Sequence, residues 1–227
     1  MSKKSKRFKQ AAALIEVGKH YSVIEAVDLI KKMPPTKFDQ SVELHLKLGV
    51  DTKQANQQVR GSVVLPSGLG KTKRIAVFCG DDKAKEAKAA GASVVGGEDL
   101  IKTIGQTGQC DFDVAVATPD MMKKMAPIAK ILGQKGLMPN PKTETISNDV
   151  GKVVKALNSG KINFKVDEAG NIHQMVGKVS FAPDKLQANI EALLQAVKKA
   201  KPAGAKGTYM QNAVLTSTMG PAVHVAV

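Results

Sequence analysis

The sequence predicts an α/β protein of two domains, one assembled from both chain ends and one inserted between them. Three observations lead there. Through the middle of the 227 residues, short apolar runs of strand length alternate with helical stripes. Two Gly-rich breaks, Pro66-Ser67-Gly68-Leu69-Gly70 and Asn158-Ser159-Gly160, punctuate the chain. The charge divides along nearly the same marks. Residues 1–67 hold 12 basic and 6 acidic side chains, residues 151–227 hold 10 and 4, and residues 68–150 hold 12 and 10. The simplest reading joins the basic ends (1–67 with 160–227) into one polyanion-binding domain, with 68–159 as the insertion. Three consecutive segments of uneven charge are the alternative that such counts leave open.

The elements follow in order. Ser22 with Glu25 three residues on is a capping-box signature, and the helix it opens runs Val23 to Lys32, with Val23, Ala26, Val27 and Ile30 on one face. Pro34-Pro35 stops it. From Phe38 to Leu48 the chain alternates as a strand, Val42, Leu44, Leu46 and Leu48 on one side and Glu43, His45 and Lys47 on the other. Arg60 to Leu65 reads as another strand. Ile75 to Cys79 is continuously apolar, as in a strand covered on both faces. A helix over Lys83–Ala90, a strand at Ser93–Val95, a helix over Glu98–Ile104, a strand over Phe112–Ala117 and a helix from Pro119 to about Leu132 complete a parallel-sheet rhythm. A helix over Asp149–Leu157 closes the insertion. Strands Ile162–Val166 and Ile172–Phe181 flank Asp167-Glu168-Ala169-Gly170-Asn171, read as a hairpin turn. Pro183-Asp184 opens a helix to about Ala200 with Leu186, Ile190, Leu193, Leu194 and Val197 as its apolar stripe. Strands over Tyr209–Leu215 and Ala222–Val227 end the chain, joined by Thr216-Ser217-Thr218-Met219-Gly220-Pro221.

A net charge of +14 directs attention to polyanions, nucleic acid before anionic membrane. No apolar run approaches the roughly 20 residues that span a bilayer, and the basic N-terminus has no apolar region after it, so it is not a secretory signal. Cys79 and Cys110 read as reduced, semi-buried thiols of a cytosolic protein, a disulfide or redox pair being the alternative. Pro66–Thr72 lacks the first glycine of a phosphate-binding loop, because Leu65 occupies that place, and a strand rather than a helix follows it. Gly68 and Gly70 read instead as a hinge. The histidines, His20, His45, His173 and His224, show no metal-ligand spacing, and no nucleophile or paired carboxylate stands out. The chain is therefore read as no enzyme, with no cofactor and no metal.

Six Phe and two Tyr make no interleaved platform for unpaired bases, and there is no recognition helix for DNA. The hydroxyls of Thr216–Thr218, followed by flexible Met219 and by Gly220, suit a partner that displays 2′-hydroxyls and base edges in a shallow groove; taken alone the segment is a hairpin turn. Gly133–Lys142 reads as an exposed loop whose Lys135 and Lys142 either meet phosphate or are simply solvated.

Six motifs in one order carry a resemblance: Phe38-Asp39 entering a strand, Gln57–Gly61, Leu65–Lys71, Gly133–Lys142, Val176–Phe181 and Thr218-Met219-Gly220-Pro221. Together they closely resemble the bacterial form of the first large-subunit ribosomal protein family, the protein of the mobile lateral stalk, over essentially the whole chain. The resemblance implies an α/β sandwich of split βαβ type built from both termini, and a Rossmann-like three-layer insertion joined by a two-stranded hinge, here Gly68, Gly70, Ser159 and Gly160. It implies a cytoplasmic, ribosome-bound protein that binds the stalk rRNA of the large subunit. It also implies repression of translation through its own mRNA leader and help in releasing deacylated tRNA from the exit site, with no membrane or DNA partner. Carried onto this chain, the rRNA-binding residues are Phe38 and Glu43 on the first strand, Lys165 and Lys178 on the hairpin, and Thr216, Thr218, Met219 and Gly220 on the final turn.

Overall fold

The computed structural model describes residues 5–70, 73–205 and 207–226. Lys71 and Thr72, which continue the Pro66–Gly70 motif, and the side chain of Lys142 lie outside the described residues. Two compact units emerge, Met1–Gly70 with Ile162–Val227 and Lys71–Lys161.

The first unit is built on β1 (Ser41–Leu48), flanked by β7 (Asn171–Lys178) and β8 (Met210–Ser217); β9 (Val223–Val225) pairs with the far side of β8. The sheet order is β7-β1-β8-β9 and every pairing is antiparallel. The alternation read in β1 holds: Val42, Leu44, Leu46 and Leu48 are buried while Glu43, His45 and Lys47 face outward. Helices α2 (Val23–Lys32) and α8 (Pro183–Lys199) cover one face, so the other is free to carry the polar side chains of β1. The cap of α2 is the expected one: Ser22 Oγ accepts from the Glu25 amide at 3.3 Å and the Glu25 carboxylate accepts from the Ser22 amide at 2.9 Å. That backbone hydrogen bond lowers the carboxyl pKa. The helix ends at Met33, before Pro34.

Four elements differ from the sequence reading. The first strand begins at Ser41, leaving Phe38 in the preceding loop, where its carbonyl accepts from Thr36 Oγ1. The strands on either side of Asp167–Asn171 do not form a two-stranded hairpin. The turn is tight, with Asp167 and Gly170 both closing it, yet β6 (Lys161–Lys165) pairs with β2 (Arg60–Val64) in a separate sheet while β7 joins β1. A helix α1 (Lys6–Ala12), not read from the sequence, precedes α2; Ser5 caps it and Ala11 is buried. In the second unit the helix expected from Pro119 to Leu132 is broken into α5 (Pro119–Lys124), a 3₁₀ turn at Ala126–Ile128 and α6 (Ala129–Gln134), because Pro127 cannot donate to a continuing helix.

The second unit has a parallel sheet of β4 (Val94–Gly96), β3 (Ile75–Phe78) and β5 (Val114–Ala117), in that order. Alternate residues of β3 enter opposite cores. Ile75 and Val77 meet Val150, Val154 and Leu157 of α7 (Val150–Asn158) and Ala87 of α3 (Asp81–Ala89). Ala76 and Phe78 meet Ile101 and Ile104 of α4 (Glu98–Thr107), with Met125, Ile128 and Leu132. Three layers result, and the uninterrupted apolar run of β3 follows from both faces being covered. Cys79 is buried and Cys110 half-buried, and neither is in a disulfide. Among the described residues no helix is long and apolar enough to cross a membrane, and no group of His, Cys, Asp or Glu is placed to hold a metal.

Candidate nucleic-acid interface

At one end of the first unit's sheet, the start of β1, the end of β7 and the turn after β8 meet. The close approaches are dictated by short polar side chains that bond backbone. Asp39 accepts from the Ser180 amide at 3.2 Å and the Ser180 hydroxyl at 2.8 Å. Buried Gln40 receives the Val179 amide on its backbone oxygen at 2.9 Å and the Met219 amide on its side-chain Oε1 at 3.0 Å. Ser41 and Thr218 exchange three bonds. The Thr218 amide donates to Ser41 O at 3.0 Å, the Ser41 amide donates to Thr218 Oγ1 at 3.0 Å, and that hydroxyl donates back to Ser41 O at 3.3 Å. The segment after β8 is thus pinned from three sides.

The expected RNA-facing residues of this unit lie on this edge and the adjoining outer face, with one exception. Phe38 is 53% exposed and Met219 is 50% exposed, so two large apolar side chains stand in solvent here. Glu43 is opposite Thr216 and Met175 on the outer face. Lys178 is half-buried, and its ammonium donates to Asp39 O at 3.3 Å and Ser41 Oγ at 3.1 Å, leaving one of three donors for anything else. Lys165 is the exception: it is exposed on β6, at an open cleft of about 460 Å³ shared with Thr52, Gln58, Asp167 and Glu168. Since β6 and β7 part company, it is not the sheet neighbour of Lys178.

The three hydroxyls are not equivalent. Thr216 Oγ1 is 3.0 Å from His45 Nε2, Ser217 Oγ is buried without a partner, and Thr218 Oγ1 bonds Ser41. They build the turn more than they decorate it. Gly220 is required by close approach: a Cβ there would stand 2.3 Å from Ser217 Oγ and 3.0 Å from Met33 Sδ.

Further along the outer face, His45 Nδ1 lies 2.8 Å from His173 Nδ1, so one ring carries the proton and the other accepts it. Burial lowers the His45 pKa, the neighbouring His173 pushes the same way, and Glu43, 3.8 Å from Nε2, opposes them. His173 Nε2 is 3.5 Å from the Asp167 carboxylate.

The glycines of the breaks have local causes. Gly68, Gly70 and Gly160 have φ of +64°, +67° and +100°, left-handed values that favour glycine. A Cβ on Gly70 would meet the Phe181 ring at 2.7 Å. Fully buried Asn189 of α8 holds the first break, accepting from the Ser67 amide at 3.0 Å and donating to Gly68 O at 2.9 Å and Val176 O at 2.7 Å. Ser159 Oγ bonds Lys155 O at 2.9 Å in the other unit. In the loop Gly133–Lys142, Lys135 Nζ donates to Gly108 O at 2.8 Å.

Sequence reasoning missed Gln40, Ser41, Ser180 and Asn189 as positioning residues. Asn189 carried a signal, a polar residue inside the stripe Leu186–Ile190–Leu193; Gln40 carried none.

Comparison with known proteins places the chain beside one family and its curated relatives. The model of the Ribosomal protein L1p/L10e family matches residues 30–221. The large ribosomal subunit protein uL1 of Lactiplantibacillus plantarum is 53% identical over 225 residues, which cover 99% of this chain and 98% of that protein.

Proposed function

The chain belongs to the ribosomal protein L1p/L10e family, and from that premise we propose that the pinned edge formed by Asp39–Ser41, Lys178–Ser180 and Thr216–Gly220 is where it grips folded rRNA of the large-subunit stalk. The protein is a cytoplasmic ribosomal component and not an enzyme. The observation that carries the proposal is the exposure of Phe38 and Met219 beside a backbone fixed by Gln40 and Thr218.

The chemistry follows from that arrangement. A preset backbone loses little entropy on binding, so interactions made there convert more fully into affinity. Met219 and Phe38 offer apolar surface to sugars and base faces. Glu43, an acceptor, suits a 2′-hydroxyl or an exocyclic amine better than a phosphate. Lys165, and Lys178 with its remaining donor, supply charge that positions the RNA without specifying sequence.

Two finer roles belong to the same proposal. A leader on the protein's own mRNA that folds like the rRNA site would occupy the same edge and block translation, one RNA at a time holding that edge. Domain motion about Gly68, Gly70, Ser159 and Gly160 would let the stalk help deacylated tRNA leave the exit site.

The test is a competition assay. Labelled stalk-rRNA fragment is bound at near-physiological salt, where loose charge attraction is screened, and challenged with the unlabelled mRNA leader, tRNA and scrambled RNA of equal length. Displacement by the leader but not by a roughly hundredfold excess of scrambled RNA is expected, since specific complexes exceed non-specific ones by large factors. Equal displacement by scrambled RNA would reduce the binding to net charge and defeat the proposal.

A further inference from the structure

We propose that helix α1 (Lys6–Ala12) is an added wall of the same RNA site, with Lys6 and Lys9 meeting phosphates of the RNA seated on the Met219 turn; this rests on the reading of the preceding subsection. The helix is too short to be stable alone in water, so its position depends on what ties it down. One tie is Ala11, which is buried in the core of the first unit. Another is Arg7, whose Nη2 donates to the backbone oxygen of Met219 at 3.0 Å across 212 residues of sequence. The helix is thereby fastened to the very residue whose side chain projects from the turn.

The charge of its two lysines, Lys6 and Lys9, has no carboxylate partner among the described residues, and no acidic residue lies in its first turn. The two are exposed and three residues apart, on one helix face, while Ala11 faces inward. Uncompensated cations held together repel each other unless a polyanion neutralises them. Beside the turn that α1 adjoins, two of the three donors of Lys178 are taken by Asp39 O and Ser41 Oγ. Lys6 and Lys9 therefore add phosphate neutralisation to the one remaining donor of Lys178.

The experiment measures affinity of the full chain for the stalk-rRNA fragment across a salt series. Every phosphate left without its lysine reduces the slope of log K against log salt by about 0.9. Lys6→Ala/Lys9→Ala is expected to reduce it by nearly 2 and to weaken binding about tenfold or more at roughly 0.1 M salt. Lys198→Ala/Lys199→Ala, on α8, removes the same charge and should leave the slope close to wild type. Alanine favours helix; a Lys6→Gln/Lys9→Gln pair repeats the measurement if circular dichroism shows any loss of helix. An unchanged slope in both α1 pairs, or an equal drop in the α8 pair, overturns this inference while leaving the site itself standing. A wild-type protein that binds scrambled RNA equally well overturns both.

Discussion

The side-chain oxygen of Gln40 accepts the amide hydrogen of Met219 at 3.0 Å, although 179 residues separate them. This bond aims the turn, because Gln40 is buried and cannot follow Met219 outward. Gln40→Met keeps the volume and removes the acceptor. It should lower affinity for the stalk-rRNA fragment, whereas Met219→Ala should lower it by about 1–2 kcal/mol through lost apolar burial with no change in melting temperature. Equal affinity in Met219→Ala and wild type, measured by fluorescence anisotropy, would remove Met219 from the interface.

Thr218 is expected to matter for folding as much as for binding. Thr218→Val leaves the Ser41 amide without its Oγ1 acceptor, at a cost of about 0.5–1.5 kcal/mol in urea unfolding. Thr218→Ser, which retains the hydroxyl, should recover most of it. If valine and serine variants unfold at the same urea concentration, the Ser41–Thr218 bond contributes nothing.

Gly220 and Ser217 should be coupled. Gly220→Ala forces a methyl against Ser217 Oγ and Met33 Sδ, costing about 1–3 kcal/mol as overpacking does. Ser217→Ala alone removes a buried hydroxyl that has no partner and should be close to neutral. The double variant should be more stable than the sum of the two changes. Strict additivity would show that the turn relaxes without involving Ser217.

Stability should fall in mild acid through His45. Its folded pKa lies below the ordinary value of about 6.5, so the unfolded chain takes up a proton that the folded one resists. The stabilisation is fully present above about pH 7 and is lost as pH falls through the unfolded value toward the folded one. His45→Gln should flatten the dependence of stability on pH between about pH 7 and 5; a wild-type minus variant difference that does not vary with pH would contradict this account.

Asn189→Leu is expected to destabilise the first unit by about 2–4 kcal/mol, because Ser67 N–H, Gly68 O and Val176 O all lose a partner inside the protein. Amide exchange at Ser67 should accelerate. Wild-type exchange there would mean that the first break is held by something other than Asn189.

The elements that sequence revealed are those whose own residues decide them. The capping box of Ser22 and Glu25, the alternation of β1 and the doubly apolar β3 each state their local rule. What escaped depends on partners distant in sequence. Nothing within Asp167–Asn171 tells that β6 leaves for β2, since the same turn would serve a hairpin. Helix α1 has no apolar period and is held in place by Arg7 and Ala11. At the site, the residue types of the final turn were legible, but their division of labour was not. Thr218, read as an RNA-bonding hydroxyl, also bonds Ser41, and Lys178, read as a phosphate-contacting cation, also donates to Asp39 O and Ser41 Oγ.

The central position of β1 has a consequence during synthesis. Ser41 waits for Lys178, and Val42 waits for Ser217, before either long edge of the strand is paired. The unit Lys71–Lys161 is complete in the nascent chain well before that and can condense as it leaves the ribosome, N-terminal portions first. The other unit stays open until the last strands emerge, closing pairings of very high sequence separation. A chain released before Thr216 lacks the Met219 turn that the proposed RNA site requires.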